Sequence, residues 1–167
     1  ATIGPTDVVD CGSLTVRPTD FHGPNWGSGI NINGGSFTHR GFVMAPVADA
    51  AAPSIINVSN GGYMDVINLL LGDNWWFWTS PYVVMNVYDT SFVKVNDWLW
   101  LGGKLNLFGG TVDITGNFNM DTHAIGNARL DIEAGTLIVR GGDISTNAAA
   151  WITAGQLTAY GTIPGTR

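Results

Sequence analysis

The sequence predicts an all-β chain wound as a parallel β-solenoid, and three observations carry that reading. Glycine is plentiful and charge is scarce: 23 of the 167 residues are Gly and 12% are Asp, Glu, Lys or Arg. An average soluble domain has roughly 7% Gly and about 25% charge. Two helix-favouring residues are scarce, with Glu only at Glu133 and Lys only at Lys94 and Lys104. Finally, one strand-turn-strand phrase recurs along the chain, and repeats at such a period mark solenoids.

The phrase is an apolar residue, Asn or Asp, an apolar residue, a turn with Gly, then an alternating strand. A degenerate first copy is Val9-Asp10-Cys11 with Leu14-Thr15-Val16. The second reads Ile30-Asn31-Ile32-Asn33-Gly34-Gly35-Ser36-Phe37, and it aligns without gaps with Leu105-Asn106-Leu107-Phe108-Gly109-Gly110-Thr111-Val112. Between them stand Ile56-Asn57-Val58 with Met64-Asp65-Val66, and Met85-Asn86-Val87 with Val93-Lys94-Val95. The last copy is Leu130-Asp131-Ile132 with Leu137-Ile138-Val139. Anchors at 10, 31, 57, 86, 106 and 131 are spaced by 21, 26, 29, 20 and 25 residues, giving about six coils. Period-2 alternation is strand chemistry, and no copy holds a helix that could cross over between parallel strands. A β-sandwich or jelly roll also alternates and turns at Gly. It gives no reason for the same phrase to return, so the solenoid is preferred.

Alternation then points Leu105, Leu107, Val112 and Ile114 inward and the Asn or Asp residues outward. The outward Asn positions are expected to form a side-chain ladder. Gly pairs supply φ > 0 at the corners. Inserts at His22–Gly27, Ala45–Ala50 and Asp73–Pro81 lengthen some coils. After the last coil, Thr146–Gly155 is the one helix-like stretch, with an N-cap candidate and a Gly stop. It predicts a partial cap, followed by a short strand from Gln156 to Tyr160. The chain reads as one domain over residues 1–167, with 1–8 as an extended arm and 146–167 as cap and tail.

Composition also excludes function classes. Hydrophobic content of 45% with 11% aromatics rules out a disordered chain. A net charge of −6 argues against nucleic acid and anionic membranes as partners. The apolar run from Val66 to Leu71 is interrupted by Asn68 and is too short to span a bilayer. Cys11 is the single cysteine, so no intrachain disulfide framework exists. The opening Ala1-Thr2 reads as a mature product after removal of a signal peptide. Together with the low Lys and Glu content, this points to a secreted bacterial protein.

The copies from Leu105 to Phe118 and from Arg129 to Asp143 are similar to the repeats of bacterial extracellular parallel β-helix proteins, the autotransporter-passenger-like and PEP-CTERM-type exoproteins. The segment Ala150–Gly161 resembles the close of such arrays, although Gly165-Thr166-Arg167 carries no anchor motif. The resemblance implies a right-handed parallel β-helix with a structural or adhesive role outside the cell. It implies no catalytic residue and no cofactor.

Candidate sites are few. Trp75, Trp76, Phe77 and Trp78, with Tyr82, Trp98 and Trp100, form the strongest local signal. Consecutive rings on one strand point to both faces, and the excess would cover a subunit or stack on a sugar. Asn57-Val58-Ser59 is a glycosylation sequon. Cys11 is either buried and inert or pairs with another molecule. His22, His39 and His123 lack metal-ligand spacing, and His39 matches the inward Ile114 position. For a polysaccharide lyase, Asp113 and Asp131 would approach each other on adjacent coils, with Lys94 one coil earlier. The plainer reading is that these are outward polar residues. The expected function is therefore non-enzymatic: self-assembly through solenoid ends or the N-terminal arm into a filament or surface layer. The alternative is a carbohydrate-binding, adhesive module built on the Trp-rich insert, with a lyase the least favoured reading.

Overall fold

The computed structural model describes residues 2–4, 7–11, 14–15, 28–45, 53–72, 82–120 and 128–159, with backbone alone for 8–11, 14–15, 28 and 42–45. The strands are β1 (Thr2–Ile3), β2 (Val8–Cys11), β3 (Leu14–Thr15), β4 (Ser28–Asn33), β5 (Ser36–Ala45), β6 (Ser54–Ser59), β7 (Tyr63–Leu71) and β8 (Val83–Val87). They continue with β9 (Phe92–Val95), β10 (Leu99–Leu101), β11 (Lys104–Leu107), β12 (Thr111–Ile114), β13 (Phe118–Met120), β14 (Arg129–Ile132) and β15 (Thr136–Val139). Helix α1 (Ser145–Thr153) and β16 (Leu157–Thr158) follow.

All recorded pairings are parallel, and the chain forms a parallel β-solenoid of about four turns. One sheet runs β1-β4-β6-β8-β11-β14-β16. The other runs β13-β10-β7-β9-β12-β15, with β5 on β7 and both β2 and β3 on β5. This second sheet folds round a corner. In β7, Tyr63–Val66 pair with β9, whereas Leu69–Leu71 pair with β10. A coil therefore has three strand positions rather than the two most visible in the repeat.

The register explains why the phrase recurs. Ile32, Val58, Val87 and Leu107 stack in one inward column, and Met64, Val93 and Val112 in another. Each of these side chains is fully buried. A single coil cannot bury such residues on its own, so stacking creates the core. His39 lies in the Ile114 column, as expected, and is 1% exposed.

Two readings of the repeat need correction. The first anchor is Thr2, not Asp10. Thr2 pairs with Asn31, while Asp10 falls opposite Thr38 on the next strand position. The short phrase Val9-Asp10-Cys11, followed by Gly12 and set 21 residues before Asn31, imitates an Asn strand in sequence, but its pairing puts it at the next strand position. The Gly pairs also serve two purposes rather than one. Gly34 takes φ 73°, but Gly110 is required by crowding: a Cβ there would lie 2.6 Å from the Ser91 carbonyl oxygen. Ser91 itself is buried with its hydroxyl unpartnered among the described residues.

Helix α1 starts without a side-chain cap on its own N-cap residue, Ile144. Instead Asp143 Oδ1 accepts the Ser145 N–H at 2.8 Å, which holds the Asp143 carboxyl below its ordinary pKa. At the other end Gly155 adopts φ 68° and donates to the Ile152 carbonyl, while Gln156 donates to that of Trp151. This paired return to the last turn is the Schellman arrangement that Gly makes cheap. The strand after it is shorter than expected, Leu157–Thr158.

Candidate functional site

The candidate site is the C-terminal axial end of the solenoid, where the stacked columns run out. Leu107, Val112 and Ile114 are fully buried. Their partners one coil later, Ile132, Leu137 and Val139, pack on the same core but are only partly covered. Ile144, Ala148 and Leu157 share that condition.

The three strand positions end differently. β14 is covered by β16, through Leu130 with Leu157 and Asp131 with Thr158. At the third position, Trp151 of α1 meets Phe118 of β13 edge to face, with centroids 5.5 Å apart. Trp151 is the only buried residue of the helix, which explains its place there. β15 has no second neighbour among the described strands and pairs with β12 alone. Thr136 and Arg140 donate their N–H groups back to Gly110 and Ile114. Alternation then turns the N–H and C=O groups of Leu137 and Val139 outward, as an unpaired strand edge. Such an edge can accept the main chain of another extended segment.

Beside this edge the charges are paired. Arg140 holds both carboxylate oxygens of Asp113, at 2.7 and 2.8 Å. This bidentate bond, reinforced by Lys94, keeps the Asp113 carboxyl below its ordinary pKa. Further along the same face, Tyr63 donates to Asp65 at 3.1 Å, and burial followed by this bond raises the Tyr63 phenol. The Tyr63 and Phe92 rings stack on neighbouring strands.

Trp75, Trp76, Phe77 and Trp78 lie outside the described residues, as do His22 and His123. Tyr82 is 42% exposed just before β8. Trp98 and Trp100 sit at and on β10, and the Trp100 indole N–H is buried without an acceptor among the described residues. Cys11 lies on β2 with its backbone opposite His39. Asn57 is a rung of a ladder: it donates to Asn31 Oδ1 at 2.7 Å and accepts from Asn86 at 2.9 Å. The nitrogen that a glycan would modify is therefore already a donor.

Asp113 and Asp131 do not approach each other, contrary to expectation. They belong to different sheets, because the Gly turn between β11 and β12 separates the two outward faces. Lys94 does neighbour Asp113 in register. Among the described residues no group of His, Cys, Asp and Glu is arranged to hold a metal. No helix among them is long and apolar enough to cross a membrane. Comparison with protein-family models, with curated proteins and with solved structures gives no match.

The open edge of β15 is hidden in the sequence because Leu137-Ile138-Val139 reads like any inward-facing strand. Its signal is indirect, since only the pairing of the described strands shows that β15 has β12 as its one neighbour among them.

Proposed function

We propose that this is a non-enzymatic, extracellular structural protein whose copies associate end to end, through the solenoid ends or the N-terminal arm, into a filament or surface layer. The observation that carries the reading is the half-covered apolar end at Ile132, Leu137 and Val139, next to the unpaired edge of β15. Burying apolar surface contributes about 25 cal/mol per Å², and an open edge adds directional main-chain bonds. Contact between unlike ends propagates without closing.

Finer features belong to the same reading. The winding in this reading is right-handed. Helix α1 serves as a partial cap, because it packs Trp151 on Phe118 of β13 while the outer edge of β15 pairs with no described strand. The lateral carboxylates fit a structural role: Asp113 is held by Arg140, and Asp65 accepts from Tyr63 and Asn96.

Negative-stain microscopy of the full chain and of a chain lacking residues 1–8 tests the proposal. Filaments or sheets from the full chain that disappear on deletion are expected. Monodisperse monomers in both would overturn it.

A further inference from the structure

We infer that the C-terminal end receives the first coil of a second copy in one defined register, and that β16 is the strand which must leave for it to dock. This contact rests on the end-to-end reading and gives it a partner surface, a polarity and a built-in brake.

The registers at the two ends fix the match. Thr2 and Ile3 pair with Asn31 and Ile32, which share columns with Asp131 and Ile132 through the intervening strands. Val8 to Cys11 pair with Ser36 to His39, which share columns with Thr136 to Val139. A second copy that continues the stack therefore lays its β1 on β14 and its β2 on β15. Thr2 then falls opposite Asp131, Ile3 opposite Ile132, and Cys11 opposite Val139.

The place for β1 is already taken. β16 lies on β14, and Thr158 occupies the same column as Thr2. β16 is a weak occupant: it has two residues, its Leu157 is only partly buried, and Ile132 stays partly exposed beneath it. Ile3, by contrast, is 6% exposed where it seats against the equivalent column in its own coil. Exchange of β16 for a second copy's β1 thus covers Ile132, and at the same step β2 satisfies the outward amides of Leu137 and Val139.

The register can be read covalently, because neighbouring strands lie about 4.8 Å apart and disulfides span Cα separations of about 4.4 to 6.8 Å. The experiment oxidises the Val139→Cys variant, which retains Cys11, beside the Cys11→Ala/Val139→Cys double variant, and resolves both on non-reducing gels. A ladder of covalent multimers from the first and none from the second is expected. Adding Thr158→Pro, which weakens β16, should raise the multimer yield about tenfold, a shift of about 1.4 kcal/mol in the docking equilibrium. Light scattering of the untreated full chain is recorded in parallel. Multimers by light scattering without a covalent ladder from the Val139→Cys variant would overturn this register while leaving end-to-end association intact. Covalent dimers from the Cys11→Ala/Val139→Cys variant would overturn the polarity, since they require two like ends. Absence of multimers in every arm, including the Thr158→Pro chain, would overturn both.

Discussion

Asn86 donates its side-chain amide to Oδ1 of Asn57 at 2.9 Å, across 29 residues of chain. The bond belongs to a directed series. Asn57 donates to Asn31 at 2.7 Å, and Asn106 donates to Asn86 at 2.9 Å, each later coil giving its N–H to the earlier one. Every amide in the middle of the series is donor and acceptor at once, so the ladder fixes the coils in register on an outward face where apolar packing is weakest.

Replacing the central rung removes two bonds together. Asn86→Ala leaves Asn57 Oδ1 without its donor and Asn106 without its acceptor, both at half-buried positions. A loss of about 1–2 kcal/mol is expected, read as a lower urea midpoint at unchanged slope. A midpoint equal to that of the parent chain would show the ladder to be a consequence of stacking and not a contributor to it.

The series changes character at Asp131, which shares the column with Asn106 but, as a carboxylate, has no donor to offer Asn106 Oδ1. It accepts instead from Thr158 Oγ1 at 3.0 Å. Asp131→Asn supplies the donor and keeps an acceptor for Thr158. The variant should therefore be more stable by about 0.5–1.5 kcal/mol, an unusual direction for a substitution in a half-buried row. Thermal unfolding at neutral pH checks it, and a lower Tm than the parent would contradict the account.

Why the fold is legible in the sequence and part of the site is not follows from these same residues. The Asn columns and their apolar flanks appear in the text because each coil repeats the same inward and outward choices, and the gap-free match of Ile30–Phe37 to Leu105–Val112 reflects one geometry used twice. The third strand position is obscured, since Leu69–Leu71 and Phe42–Ala45 continue strands already counted. The Asp10 error has a related cause: a three-residue pattern is shared by every half-buried strand and cannot tell one strand position from another. The unpaired edge of β15 depends on which of the described strands pair with one another, which a motif cannot express. The bidentate hold of Arg140 on Asp113 spans 27 residues and follows only from register.

Glycine at the second corner is set by space. A Cβ on Gly116 would lie 1.9 Å from the Asp97 carbonyl oxygen, and one on Gly141 would lie 2.1 Å from that of Gly116. The obstacle is main chain on the adjacent coil, so it cannot rotate away as a side chain could. Gly116→Ala should force neighbouring coils apart and cost about 3 kcal/mol or more. Circular dichroism during urea titration would detect this as an early transition, whereas a shift below about 0.5 kcal/mol would mean that the corner yields.

The pairing of Asp113 with Arg140 sets an acid limit. Its hydrogen bonds to Arg140 lower the folded-state pKa of Asp113, so the folded chain binds a proton there less readily than the unfolded chain does. The stabilisation is complete above the ordinary carboxylate range, at about pH 4, and is lost as pH falls through the lowered folded value. Arg140→Ala removes the donor, so Asp113 should titrate closer to the ordinary range, with burial raising it and the smaller Lys94 influence lowering it. The stability difference between parent and variant is then greatest at neutral pH and shrinks toward zero in acid. Added salt should shrink it as well, because Arg140 is exposed to solvent. Urea midpoints at a series of pH values, with the Asp113 carboxyl followed by NMR, measure both terms. A difference that stays constant into acid would show that Arg140 does not act through its charge.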